Sequence, residues 1–293
     1  MMRFVSILLP LCLLAACTSQ APKTPEEETP AKGEPIFVAP IGVQAYSFRN
    51  YFPKNVIATL DSIQQMGITE IEGTGGRLAP ATYRKLCEER GIRIPSTGAG
   101  FQQLEEDPHK VAETAKILGA QYVMCAWIPH EEKPFDLETA QHAVEVFNAA
   151  GKVLKEQGLT LCYHPHGYEF QPYGEGTLLD YLIQNTNPEY VSFEMDVFWI
   201  QFGGGDPVAL LKQYGPRWKL MHLKDMKKGI PKDLSGHTDV EYNVPLGTGE
   251  LDMRNILIEA RKIGIAHYFI EDESSSVLKQ IPQSIAYLRS LTY

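Results

Sequence analysis

The stretch whose reading decides the fold is Leu161–Phe170, LCYHPHGYEF. Leu159, Leu161, Cys162 and Tyr163 form a short apolar run that reads as a buried strand, and the run ends in His164-Pro165-His166. Residues two apart on a strand point the same way, so the two imidazoles face one side together. Three other apolar runs end in similar chemistry. VSFEMD ends at Asp196 with Glu194 two residues before it, KLMHLKD carries His222 with Lys224 two after, and YFIEDE carries Glu271 with Glu273 two after. Four strand ends bearing His164, Asp196, His222 and Glu271 form a set that one metal ion could gather.

Working outward, the chain alternates strand-like runs with amphipathic helical stretches from Ile41 onward. IGVQAYSF, ITEIEG, IRIPSTG, QYVMCAW, LTLCYH, YVSFEMD, WKLMHLKD and HYFIEDE read as strands, each followed by a helical stretch, several of which end in Gly. Strand–helix units repeated in this way mean parallel strands with helical crossovers. Their number within one domain predicts a closed (β/α)8 TIM barrel rather than an open, doubly wound sheet. No G-x-G-x-x-G follows the first strand, which argues against dinucleotide binding. The strands are expected to be apolar on both faces, as when helices cover the outside. One connection, Met226 to Asp252, is long, and a loop of that length in a compact domain is usually functional.

The first 35 residues read differently. Arg3, the apolar run Phe4–Leu14 and the ending Leu14-Ala15-Ala16-Cys17 resemble a bacterial lipoprotein signal, with Cys17 acylated. The run is too short to span a bilayer, and acyl chains on Cys17 would be the only attachment to a membrane. Residues 18–35, rich in Pro and Glu, read as a disordered tether. The span 36–293 is then one barrel domain, close to the ~250 residues typical of the architecture. An exported protein on the cell envelope is the expectation, on an outer membrane or the periplasmic face.

Lys and Arg number 27 against 36 Asp and Glu, a formal charge of −9. An acidic chain without a basic run is a poor partner for nucleic acid, where phosphate neutralisation dominates affinity. Cys87, Cys125 and Cys162 lack metal-type spacing and read as buried thiols.

YHPHGYEF, FEMDVFW, HLKDM, PLGTGELD and the late FIEDE together make the chain resemble the xylose isomerase-like sugar isomerase/epimerase superfamily over essentially all of Ile41–Tyr293. The resemblance implies a metal-dependent barrel acting on a carbohydrate or polyol, with the metal on His164, Asp196, His222 and Glu271. Two departures stand out. Members of this group often carry Glu at the end of the fifth strand, where this chain has His164, and His three residues after the Asp, where it has Trp199. The first departure removes one member of the pair of opposed carboxylates that the resemblance would otherwise imply.

Two imidazoles and two carboxylates suit Mn, Zn or Co better than Mg. Glu194, one layer below Asp196, is a candidate either for orienting His164 or His222 or for a buried ion pair within the barrel. Glu271, Lys224 and His166 are the candidates for moving protons, Lys224 also for steadying an enolate or pairing with Asp225 or Glu273. Glu72, Trp199 and His237 are candidates for contacting substrate. Gly247 and Gly249 read better as a turn leading to Asp252 at a helix start than as a phosphate cradle, which favours a non-phosphorylated sugar or keto sugar. The predicted activity is proton transfer next to a carbonyl, as isomerisation, epimerisation or loss and gain of water. The competing reading is a carbohydrate-binding protein that kept the barrel and lost the chemistry.

Overall fold

The structure, a computed structural model, describes residues 31–130 and 133–293. The lipoprotein signal read at 1–17, Cys17 with it, and most of the tether read at 18–35 lie outside the described residues. At the start of the described chain, the Gly33 N–H donates to the Tyr293 carbonyl and Pro35 pairs with Thr292, which joins the two ends of the barrel domain.

Eight parallel strands close into a barrel: β1 (Gly42–Gln44), β2 (Glu70–Glu72), β3 (Arg93–Gly98), β4 (Tyr122–Cys125), β5 (Thr160–Tyr163), β6 (Val191–Asp196), β7 (Trp218–Leu223) and β8 (His267–Ile270). Each pairs with its neighbours in sequence, and β1 closes on β8. The crossovers are α1 (Val56–Gln65), α2 (Pro80–Glu88), α3 (Phe101–Glu106) with α4 (Pro108–Leu118), α5 (Leu137–Glu156), α6 (Leu178–Asn185), α7 (Val197–Phe202) with α8 (Pro207–Tyr214), and α9 (Met253–Ile263), whereas α10 (Val277–Ser290) follows β8. Two crossovers therefore hold two helices where the sequence reading has one. Side-chain caps start several helices: Asn55 on α1, Asp136 on α5 and, as expected from the sequence, Asp252 on α9. The large apolar core lies between the strands and this helical layer.

The barrel interior corrects one expectation: its face is not apolar throughout. Among the described residues, Cys162, Leu220 and Phe269, packed by Tyr122, form a small apolar plug inside the barrel. Below it the buried Glu70 accepts from Arg93 (2.6 Å) and His267 (2.8 Å). Above it stand Glu72, Glu194, Asp196, His164 and His222, all buried. A polar interior is possible because nearly every one of these groups faces a partner of opposite character, which offsets the cost of burial. The first strand is also shorter than read: after Gln44 the chain turns into a 3-10 helix, Ala45–Phe48, because the Gln44 side chain accepts the Tyr46 N–H.

A register shift in β7 sets the level of the site. Phe193 pairs with Trp218, but Glu194 pairs with Leu220, so one extra residue enters β7 at Lys219. Strict alternation would put Trp218 on the same face as His222. The shift turns Trp218 outward, where its Nε1–H donates to the Leu210 carbonyl, and brings Asp196 level with His222.

Candidate functional site

A cavity of about 740 Å³ opens at the C-terminal ends of the strands, the end at which barrels of this kind carry their chemistry. His164, His222 and Glu271 lie in its floor, and His166, Trp199 and His237 in its walls.

The floor is built from strand ends. His164 follows β5, Asp196 ends β6, His222 lies in β7 and Glu271 follows β8. The turn after His164 needs Gly167: its φ is +90°, and a Cβ there would stand 2.8 Å from the Trp199 carbonyl. Asp196 has two duties. Its Oδ1 accepts the N–H groups of Phe198 (2.8 Å) and Trp199 (3.2 Å) as the N-cap of α7, which leaves Oδ2 facing the two imidazoles.

Each imidazole is oriented by a carboxylate from below. His164 Nδ1 donates to Glu194 Oε2 (3.2 Å), and His222 Nε2 donates to Glu72 Oε2 (2.6 Å), which also accepts from Gln44 Nε2 (2.6 Å). The opposite ring nitrogens then converge. His164 Nε2 and His222 Nδ1 lie 3.8 and 3.7 Å from Asp196 Oδ2, and His222 Nδ1 lies 3.3 Å from Glu271 Oε2. His164 Nε2, His222 Nδ1 and Asp196 Oδ2 are buried without a hydrogen-bond partner. Two ligand atoms each ~2.1 Å from one ion stand roughly 3.0–3.5 Å apart, so these separations are close to those of a coordination sphere. Carboxylate-tied imidazoles with their second nitrogens converging are the usual support of a metal centre. His164, Asp196 and His222 thus form a buried three-residue group able to hold a cation, with Glu271 beside it.

Charge in the floor follows from burial and neighbours. Burial pushes His164 well below the usual imidazole range, and its ring is neutral. Burial acts on His222 in the same direction, but Glu194, Glu271 and Glu72 outweigh it and hold that ring well above its usual value. Burial raises Glu194 far above the carboxylate range, with Glu72 adding to the effect, and raises Asp196 too. For Glu271, burial is outweighed by Lys224 and His222, which hold it well below the usual range.

The structure moves two expected residues away from the substrate space. Glu72, read as a substrate contact, does not line the cavity; it sits beneath His222 and orients it. Lys224, read as a proton mover, does not line it either. Its ammonium is enclosed by Glu271 Oε2 (3.2 Å), Glu273 Oε1 (2.5 Å) and the rings of Phe198 and Trp199, with centroids 5.3 Å away. Burial lowers its pKa, but Glu271, Glu273 and Asp196 outweigh burial and raise it, so the group stays charged. Asp225, the other partner considered for Lys224, is engaged elsewhere. Its carboxylate accepts the N–H groups of Gly247 (2.9 Å) and Gly249 (3.0 Å), so the glycine turn wraps a side chain of its own protein.

The walls contain residues that the sequence reading passed over. Trp127 stacks on His130 (4.8 Å), meets His166 edge-on (5.7 Å) and faces His237 (5.2 Å). Across from it, Arg49 donates to the Glu273 carbonyl (2.8 Å), and Asn243 Oδ1 accepts the Glu273 N–H (3.0 Å). Glu273 had a signal, since it shares strand parity with Glu271. Arg49 and Asn243 had none, because loop residues carry no period that aims them, and Trp127 closes a run read as strand but lies beyond the strand's end at Cys125.

The chain is similar to proteins of known description. Inosose dehydratase of Clostridium tetani is 33% identical over 142 residues, which covers 44% of this chain and 46% of that protein. The enzyme of the same name from Salmonella typhimurium is 32% identical over 138 residues, 44% of each chain. The chain thus matches less than half the length of these relatives. Among solved structures, a sugar phosphate isomerase/epimerase from Parabacteroides distasonis superposes with a TM-score of 0.71 at 25% identity, covering 92% of this chain and 98% of that one. A zinc-bound IolI protein shares the fold, with a TM-score of 0.67 at 15% identity, covering 85% of this chain and 95% of that one. The family described as xylose isomerase-like TIM barrel matches residues 60–291. The chain belongs to the xylose isomerase-like TIM-barrel family.

Proposed function

We propose that this protein is a divalent-metal enzyme that moves a proton next to the carbonyl of a non-phosphorylated keto sugar or keto polyol, with loss of water as the reaction its site suits best. The observation that carries the reading is the convergence of three buried, unpartnered atoms, His164 Nε2, His222 Nδ1 and Asp196 Oδ2, on one point of the cavity floor. His164, Asp196, His222 and Glu271 would hold the ion, and this set of imidazoles and carboxylates favours Mn, Zn or Co over Mg. Such an ion supplies Lewis acidity, polarising a carbonyl oxygen so that the neighbouring C–H becomes acidic.

The chain's own residues do the rest. His166 lines the cavity beside His164, with ring centroids 4.7 Å apart, and its Nδ1 is buried without a partner. Burial, then the nearby Lys224 charge, push it down to about 3, so it rests as a neutral imidazole with an open nitrogen. That nitrogen accepts the C–H proton, and the negative charge growing on the substrate beside it strengthens its hold as the proton arrives. For loss of water, the same nitrogen returns the proton to the hydroxyl on the next carbon. The C–O bond breaks, a C=C bond forms, and water departs. One base on one face suffices for this, which suits a site with His164 where an opposed Glu would stand. Lys224 fixes Glu271 and Glu273 rather than meeting substrate, and Trp199, Trp127 and His237 offer ring faces to the apolar side of a cyclic polyol. The dehydratase names of the relatives point the same way.

The test is exchange in deuterated water with a panel of keto sugars and keto polyols, an inosose among them. The C–H next to the carbonyl should exchange and, in the true substrate, water should be lost. Chelator should abolish both, and His166→Ala should slow them by about 100-fold or more. Metal-replete protein that exchanges nothing in the panel would instead favour a carbohydrate-binding role for the cavity.

A further inference from the structure

Glu169 is fully buried and takes no part in the chemistry above. It lies in the short 3-10 turn Tyr168–Phe170, just beyond β5. Both of its oxygens accept the His166 N–H, each at 3.1 Å, and Oε1 also accepts from the Tyr163 hydroxyl. When Glu169 is ionised, the hydrogen bonds around it can run only one way. Tyr163 gives its single proton to Glu169, so its oxygen accepts from the Tyr168 hydroxyl (2.9 Å), and the Tyr168 oxygen accepts the Ile128 N–H (2.9 Å). A line of donors therefore crosses from the loop after β4 to the loop after β5 and ends on one carboxylate.

A third loop meets them at Tyr168. The Tyr168 ring packs against Trp127 (4.9 Å) and His130 (4.2 Å). Gly236, at φ +70°, sits so close that a Cβ there would be 2.7 Å from the Tyr168 ring and 3.1 Å from Trp127. These three loops carry His166, Trp127 and His237, three side chains of the cavity wall.

We propose that Glu169 is a positioning residue that fixes His166 directly and, through Tyr163 and Tyr168, sets the Trp127–His237 wall, so that the three side chains move as one unit. This rests on the reading of the cavity as a site of proton transfer with His166 as base. Burial outweighs Tyr163 and the N–H groups of Glu169, His166 and Gly167, which pull the other way, and leaves the Glu169 carboxyl raised to about 7. The groups facing it thus favour the acceptor-only form that the line of donors requires.

Glutamine is the informative replacement, because it keeps the shape and reverses part of the polarity. At the Oε1 place its NH2 group would set a donor against both the Tyr163 O–H and the His166 N–H, and at the Oε2 place it would set one against the His166 N–H, so the surroundings of His166 change in either orientation. Tyr163→Phe breaks only the connection to Tyr168 and leaves the bond to His166. The experiment compares metal-loaded wild type, Glu169→Gln and Tyr163→Phe by the NMR signals of the His166 ring and by deuterium exchange. Glu169→Gln should keep its metal, shift the His166 signals and lower kcat by about 10- to 100-fold, as expected for a base displaced by a fraction of an ångström. Tyr163→Phe should mainly raise KM and leave the His166 signals nearer to wild type. Unshifted His166 signals in Glu169→Gln, or activity lost only in proportion to unfolded protein, would overturn the proposal. If wild type shows no exchange, the proton-transfer reading fails separately, and the His166 signals alone decide the role of Glu169. If Glu169→Gln does not fold, Glu169→Asp, with its shortened reach, takes its place with the same expected and overturning results.

Discussion

His164 and His222 reach the same floor with opposite nitrogens, one through Nε2 and the other through Nδ1, because Glu194 and Glu72 hold the remaining ones. Strand parity makes part of this legible in the sequence. His164, Asp196 and His222 are each placed by period two at the end of an apolar run, and Glu194 follows as the residue one layer below. Glu72 was misplaced for a physical reason: period two fixes the face of a strand but not whether a side chain ends above or below its neighbours across the barrel. For Lys224 the expected pairing with Glu273 is the reading the structure bears out, whereas the rings of Phe198 and Trp199 that help enclose it lie on another element and leave no signal in its own strand. The pairing now makes a sharp prediction. Lys224→Met removes the buried cation between Glu271 and Glu273 and leaves them only His222 and Arg49, so denaturant unfolding of the metal-free protein should show a loss of about 3–5 kcal/mol. Stability within 1 kcal/mol of wild type, taken as about the worth of an exposed pair, would mean that Lys224 does not hold these carboxylates.

The elements were largely legible, their fine positions less so. Alternating periodicity and glycine stops locate the strands and most crossovers, and α4 and α9 end at Gly119 and Gly264 in the left-handed region, as a C-terminal glycine requires. The extra residue in β7 was not legible, because Trp218 is as apolar as an interior residue would be. Neither was α7, whose start depends on Asp196 Oδ1 serving as its cap. The long connection after β7 folds back on the barrel through a short ladder pairing Asp225–Met226 with Asn243–Val244, and its glycine turn closes round Asp225. A Cβ on Gly249 would lie 2.2 Å from Asp225 Oδ1 and 2.3 Å from the Met226 carbonyl. Gly249→Ala should therefore lower stability by about 1–3 kcal/mol in denaturant unfolding. An unchanged midpoint would show that this turn adjusts freely and does not anchor the loop carrying His237.

For the whole molecule, the closed barrel was readable because eight strand–helix units in one domain leave few other arrangements. The interior was not, because a list of apolar strands does not reveal how many acids and imidazoles can satisfy one another inside. No helix among the described residues is long and apolar enough to cross a membrane. We propose attachment through acylated Cys17, on the LAAC ending. Cys17→Ser should move the protein from the membrane to the soluble fraction, and unchanged retention would dismiss the lipid anchor. The central claim is that strands β5 to β8 hold one divalent ion in their C-terminal ends, and elemental analysis of the purified protein tests it most directly. The account predicts one equivalent of Mn, Zn or Co in wild type and its loss in Asp196→Asn and His222→Gln, with the barrel still folded by circular dichroism. Equal metal content in wild type and both variants would contradict it.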